Sequence, residues 1–297
     1  VRGAKAAGAK EIVVVDCHGA GGDWTFNSLV PDLLDPDCEW VAHHSWSPYT
    51  DMFETGCDAC LLVGMHARAN TPDGVMCHTI STTTWRNLWF NEDLVGEVGI
   101  NAALCGHYGV PILLVTGDEA VCRESRELVG DGLTTVAVKK GLSRYSARQI
   151  PPVRVRAMIE EGAKSALGNL NAMEPYVPEK PTTITVELGT VDTATRFKGR
   201  FGVELVDPLR AVSSAPSWME AWDQIWDQLA LTPNPPRGSS PPAFAQAMAD
   251  RPAREQRRVG DHILGSSQMI PHALIVDPLH RVARLVHPRR ECLSQVV

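Results

Sequence analysis

No long hydrophobic run occurs in this chain. Its most apolar stretches, "IVVV" at 12–15 and "ILLV" at 112–115, fall far short of the ~18 residues that a bilayer-spanning helix needs. A helical membrane protein is therefore not expected. Basic charge is not in excess either: 28 Lys and Arg against 35 Asp and Glu leave a net charge of −7. That sign is wrong for a surface that neutralises phosphates, so nucleic acid is not expected as a partner. There is no G-x-x-x-x-G-K-[ST] motif, and "GAGGD" at 19–23 lacks the G-x-G-x-x-G spacing, which leaves a nucleotide-binding reading without support. One C-x-x-C exists, Cys57 and Cys60, but no second pair or flanking histidines complete a structural zinc pattern. Cys60 opens the apolar run "CLLVG", so a buried strand start is the better reading. Eight cysteines spread over 297 residues do not make a disulfide framework and fit a reducing cytoplasm. A secretory leader is not visible, and an initiator Met is missing. The first residues read as a helix feeding a strand at 11–15, so an alternative start or missing upstream sequence is expected.

What the chain does contain is ordinary globular material, 44% hydrophobic and 21% charged, with length for one large α/β domain or two small ones. Short apolar runs alternate with helix-length amphipathic segments, the pattern of parallel strands joined by crossover helices. Strands are expected at 11–16 "EIVVVD", 60–65 "CLLVGM", 75–80 "VMCHTI", 111–116 "PILLVT", 133–138 "LTTVAV" and 182–188 "TTITVEL". Helices fit at 93–107, 118–129, 151–171 and 216–230, with Asp118 able to cap the second and Pro151 and Pro152 suited to opening the third. The fold expected is α/β: three layers, α/β/α, with a largely parallel sheet and an irregular C-terminal tail. A domain over 1–230 is set against a tail over 231–297 that reads as linker or disorder. Residues 230–297 hold nine Arg, no Lys and five acids, a net of +4, while the rest of the chain carries −11. Within the tail, "HALIVDPLHRVARLVHP" could pair as a strand or dock as a helix, and its histidines are not spaced to share a helix face.

In an open parallel sheet, ligands collect beyond the carboxyl ends of the strands. Three expected strands end in potential ligands: Asp16 and His18 in "VVVDCH", His66 in "LLVGMH", and Asp118 and Glu119 in "LLVTGDE". Neighbouring strands would gather these on one rim. Imidazole and carboxylate bind Zn²⁺ at ~2.0–2.2 Å, and a catalytic zinc keeps a position for water whose pKa falls to ~7. Taken singly, His18 and His66 read more readily as loop histidines bonded to backbone; their parallel placement after two strands shifts the balance toward ligands. Glu97, in the first turns of its expected helix, is favoured there by the macrodipole in any case, by ~0.3–1 kcal/mol. Leu94, Val95, Val98 and Ala102 define a core stripe that leaves Glu97 and Asn101 on a flanking face, which permits a ligand role without requiring it. His78 falls in the middle of "VMCHTI", on the same face as Met76 if the stretch is a strand. An imidazole there is ordinarily a satisfied core group, and facing the rim it could move protons.

The segments "DCHG", "LLVGMHARANTPDGVMCHT", "VGEVGINA" and "PILLVTGDEA", in this order and at these distances, resemble the zinc-dependent D-aminopeptidases of the DppA type. The likeness continues through "TTVAVKKGLSR" and "WMEAWDQIWDQL" to about residue 230, and 63–101 is its most specific part. The resemblance implies that His18, His66 and Glu97 are metal ligands and that His78 is catalytic. It also implies two zinc ions, removal of N-terminal D-amino acids from short peptides, and a homo-oligomeric ring that encloses the active sites. An Asp-x-Glu pair on the family's first strand, which bridges the metals, is expected upstream of Val1. Two metals ~3.5–4 Å apart need such a bridge, so the segment as written is expected to hold them weakly. The leading expectation is a cytoplasmic metalloaminopeptidase; the alternative is a non-catalytic peptide-binding or structural subunit with an incomplete site.

Overall fold

The computed structural model describes residues 1–18, 29–41, 50–226, 273–278 and 295–296. Helix α1 (Arg2–Ala6) leads into strand β1 (Ala9–Val15), and β2 (Glu39–Val41) and α2 (Asp51–Thr55) precede β3 (Cys60–Met65). A hairpin of β4 (Trp85–Phe90) and β5 (Asp93–Val95) enters α3 (Glu97–His107). Strand β6 (Ile112–Asp118) then runs directly into α4 (Glu119–Val129), followed by β7 (Thr134–Ser143), β8 (Ser146–Gln149) and α5 (Pro152–Leu167). The remainder supplies β9 (Thr182–Leu188), α6 (Val191–Thr195), β10 (Val203–Leu205), β11 (Arg210–Ala215), α7 (Trp218–Ile225), β12 (Ala273–Pro278) and β13 (Gln295–Val296). No helix among the described residues is long and apolar enough to cross a membrane.

These strands form two sheets. The first has the order β2-β1-β12-β3-β6-β7-β8, with β13 also paired to β3. Its β1–β2, β3–β6, β6–β7 and β3–β13 pairs are parallel, whereas β12 lies antiparallel between β1 and β3, and β8 folds back on β7. The second sheet, β10-β11-β9-β4-β5, is antiparallel throughout. The chain is thus mixed α/β, and the strand expected at 182–188 belongs to this second sheet. Its residues alternate between buried and half-buried, the period of a strand covered on one face, while β6 is buried along its whole length as an inner parallel strand must be. Of the tail at 231–297, the stretch 273–278 pairs as a strand; apart from 295–296, the rest lies outside the described residues.

Helices cover both faces of the first sheet. Ile12, Leu61 and Val63 pack against Ala4 of α1 and Ala163, Ala166 and Leu167 of α5. Val13, Val15 and Leu62, pointing the other way as alternation dictates, pack against Val98, Ala102 and Cys105 of α3 and Val121 and Cys122 of α4. Helix α3 also gives Ile100 and Ala103 to the core of the second sheet, so it is held between the two sheets. Nine of its eleven residues are buried, which is why it departs from the one-sided stripe expected of it. It begins at Glu97 rather than 93, because 93–95 pair with β4.

On the second sheet α7 is capped by Ser217, whose Oγ accepts from Glu220 N while the Glu220 carboxylate receives the Ser217 hydroxyl. Trp218 and Trp222 stack with centroids 5.5 Å apart, and Trp222 stacks on Trp226 at 5.6 Å, as i, i+4 spacing on one helix face allows. Trp85 and Phe90 of β4 meet this ladder edge-on, the arrangement that aromatic quadrupoles favour.

Candidate metal centre

Two irregularities aim the end of β3. The β3–β6 register shifts between Leu62 and Met65, where Gly64 takes φ +84° and its N–H donates to Thr116 Oγ1 at 2.9 Å. A bulge of this kind redirects the residues after it, here His66. Gly117 of β6 lies opposite, so close that a Cβ would sit 2.3 Å from the Met65 carbonyl oxygen; only glycine lets the two strand ends approach this far. His18 follows β1 after a turn braced by Asp16, which accepts from His18 N at 3.4 Å and Leu29 N at 3.2 Å. Glu97 arrives from the other sheet, as the first residue of α3.

These elements bring the four residues singled out from the sequence to one place. Ligand-capable nitrogens of His18, His66 and His78 lie within 4.8 Å of one another. Glu97 Oε2 is 3.1 Å from His66 Nε2, and Glu97 Oε1 is 3.5 Å from His78 Nε2. The His66 and His78 rings stack at 3.9 Å. Of the other rim candidates, Asp118 and Glu119 do not join. Asp118 is consumed as the α4 cap, accepting from Val121 N at 2.8 Å, and Glu119 is exposed and paired with Lys140 at 3.8 Å. Asp16 is likewise outside the group and serves the His18 turn.

The region at 75–80 is not a strand, contrary to the alternation read there. Met76 has φ +53° and is 55% exposed, while His78 is buried, so the two do not share a face. Backbone groups that a strand would spend on a neighbour are satisfied elsewhere: Val75 N donates to Asp118 Oδ2 at 2.7 Å, Met76 N to the Arg144 carbonyl at 2.7 Å, and His78 N to the Ala67 carbonyl at 3.3 Å. Residues 67–79 form a loop clipped to α4. Glu124 accepts from Arg68 N at 2.9 Å and the Thr71 hydroxyl at 2.6 Å, and Arg123 holds Asp73 at 3.0 Å. The exit is strained, with the β-branched Ile80 at φ +61°, and Glu97 Oε1 restrains it by accepting from Ile80 N at 2.6 Å.

Hydrogen bonds fix the imidazoles. His66 Nδ1 faces the Ala67 carbonyl at 3.1 Å and His78 Nδ1 the Met76 carbonyl at 2.7 Å. A carbonyl only accepts, so each Nδ1 carries the proton and each neutral ring turns an Nε2 lone pair toward the cluster. His66 Nε2, His78 Nε2 and Glu97 Oε2 are buried without an aligned hydrogen bond. Burial lowers the His18 pKa to about 4 and also lowers that of His78. Burial acts on His66 in the same sense, but the Glu97 carboxylate more than offsets it and the net shift is upward. Burial likewise opposes ionisation of Glu97, yet the imidazoles of His66, His78 and His18 outweigh it and hold its pKa below the ordinary value. Buried polar atoms left unpaired are unfavourable unless something binds them. Three nitrogens and a carboxylate suit zinc, whose tetrahedral sites place donors about 3.3 Å apart.

A profile of the D-aminopeptidase family matches residues 1–226. The chain belongs to the D-aminopeptidase family. It is 32% identical over 192 residues to the D-aminopeptidase of Bacillus subtilis (strain 168), an alignment covering 63% of this chain and 66% of that relative. The chain thus spans just under two thirds of that relative's length. It also resembles the solved structure of the Zn-dependent D-aminopeptidase DppA from Bacillus subtilis, described as a self-compartmentalizing protease. The TM-score is 0.69 at 28% identity, covering 75% of this chain and 79% of that one. Within this D-aminopeptidase fold, sequence reasoning reached His18, His66, His78 and Glu97 but missed the residues that brace them. Glu124 and Ile80 gave no signal, since an acid on an amphipathic helix and an apolar residue in a short run are commonplace. Asp118, read as a cap, is in addition the acceptor for Val75 N.

Asp118→Ala is therefore expected to destabilise the protein by about 2–4 kcal/mol. The loss combines that of a helix cap with that of an acceptor for a second backbone N–H. Chemical denaturation followed by circular dichroism measures it, and a loss below about 1 kcal/mol would show that the fully buried carboxylate is not the clip described.

Proposed function

We propose that this protein is a zinc-dependent aminopeptidase that removes N-terminal D-amino acids from short peptides, with His18, His66 and Glu97 holding metal and His78 moving protons. The observation that carries the reading is the convergence of buried Nε2 and Oε2 atoms, close to one another but without an aligned hydrogen bond, from the end of β3, the 67–79 loop and α3 at the carboxyl edge of the first sheet. Family membership and the names of both relatives support it. When bound, zinc supplies Lewis-acid polarisation of the scissile carbonyl and activation of water. His78 is placed to exchange a proton at Nε2, because its Nδ1 proton is held by the Met76 carbonyl and the ring cannot switch roles without breaking that bond. Glu97 positions as well as binds, through Oε1 to Ile80 N.

The finer reading is a two-zinc centre on a three-layer α/β/α domain over 1–230, in a cytoplasmic protein that assembles into a homo-oligomeric ring. The cluster described above supplies donors enough for one zinc; a second zinc draws on groups in addition to these. That count favours one competing reading, a non-catalytic peptide-binding or structural subunit. Metal analysis separates the two, because two tightly bound zinc ions per chain would remove the competitor. For activity, the zinc-loaded protein is expected to release alanine from D-alanyl peptides in preference to L-alanyl ones. Release from neither would refute the assignment.

A further inference from the structure

Strands β7 and β8 form a hairpin whose tip sits on the loop that carries His78. The Arg144 carbonyl accepts from Met76 N at 2.7 Å, and the Met76 carbonyl accepts from His78 Nδ1 at 2.7 Å, so two hydrogen bonds connect the Arg144 backbone to that imidazole. The fit is close: a Cβ on Gly141 would lie 1.9 Å from the Asp73 carbonyl oxygen. Two guanidinium groups at this loop are already engaged, Arg68 with Glu124 at 3.1 Å and Arg123 with Asp73 at 3.0 Å. Arg144 makes no ion pair among the described residues, and its Nε is buried without a hydrogen-bond acceptor.

A guanidinium stays charged at any working pH and has only donors, so an Nε–H shielded from water needs an anionic or carbonyl oxygen. Among the described residues none reaches it. The reaction proposed above presents one, because every unmodified peptide ends in a carboxylate, and arginine's planar fork matches a carboxylate with two parallel hydrogen bonds. Reach then selects length. In a dipeptide the carboxylate lies one residue, about 3.3–3.6 Å of chain, beyond the scissile bond, and each further residue adds as much again. Arg144 has its backbone two hydrogen bonds from the proton-transferring imidazole, which favours the shortest substrates as the ones its side chain serves.

We infer that Arg144 receives the C-terminal carboxylate of the substrate and so determines specificity for dipeptides. This deepens the proposed function and rests on it.

The test compares wild-type protein, Arg144→Ala and Arg144→Lys, each zinc-loaded. Three substrates are used: D-Ala-D-Ala, its C-terminal amide, and D-alanine p-nitroanilide, which has no carboxylate. The hydrogen bond from Met76 goes to the residue 144 backbone carbonyl and survives both substitutions. Wild type is expected to favour the free dipeptide over its amide by about 10-fold or more in kcat/KM. Arg144→Ala should reduce kcat/KM on the free dipeptide by about 10–100-fold, chiefly through KM. That loss should be at least ~10-fold greater than the loss on the p-nitroanilide, with Arg144→Lys recovering part of it. Equal losses on all three substrates would show that Arg144 only props the loop, and would overturn the inference. So would a wild type indifferent to amidation, or an Arg144→Ala variant as active on the dipeptide as wild type. Hydrolysis of the p-nitroanilide with no carboxylate effect sinks the Arg144 assignment alone, whereas no hydrolysis of any D-alanyl substrate sinks the aminopeptidase reading and this inference with it.

Discussion

A Glu97→Gln variant is expected to bind zinc about 100-fold or more weakly than wild type and to lose its hydrolysis of D-alanyl peptides in proportion. Changes to groups that merely support a ligand already reach 10–100-fold in affinity, and Glu97 is the carboxylate that, among the described residues, meets both His66 and His78. Glutamine keeps the length of the side chain and its Oε1, so Ile80 N retains an acceptor and the loop exit stays in place. What disappears is the negative charge facing three imidazoles, two of them buried. The His66 pKa, held up by that carboxylate against burial, should fall when it is neutralised, which NMR titration of the zinc-free protein can follow. Zinc content by elemental analysis and affinity by calorimetry decide the matter. A variant with wild-type affinity would remove Glu97 from the metal site.

His78→Ala should separate proton transfer from metal binding. General acid–base catalysis contributes ~10²–10⁴-fold, so kcat is expected to fall by about that factor while zinc affinity changes little. The geometry makes the experiment decisive, because a ring nitrogen of His78 lies within 4.8 Å of nitrogens of His18 and His66 and could itself coordinate. Loss of zinc together with activity would reassign His78 as a ligand. Retained zinc with unchanged kcat would leave it no role in the chemistry.

Two of the four clustered residues were legible in the sequence for a physical reason. His18 and His66 each follow an apolar run, and strand ends at the carboxyl edge are where side chains of an open sheet converge. His78 was legible only through resemblance, since its local pattern pointed to a strand. The Pro72-Asp73-Gly74 turn is followed by left-handed backbone at Met76, and the contacts that stabilise it come from Asp118 and Arg144, 43 residues or more away in sequence. No period-2 count over six residues carries that information. For Glu97 the error was the opposite: the helix looked half-exposed because alternation cannot reveal a second sheet lying over its other face. The antiparallel sheet itself was not read from the sequence, which counted 182–188 among strands of the parallel pattern; the alternate burial of β9, unlike the continuous burial of β6, marks a strand covered on one face.

The indole ladder on α7 has an optical consequence. Trp85, Trp218, Trp222 and Trp226, half of the protein's eight tryptophans, lie in mutual contact, close enough for their electronic transitions to couple. Near-ultraviolet dichroism will accordingly carry a signal of whether α7 is docked. Melting of that half of the molecule can be watched with no label introduced.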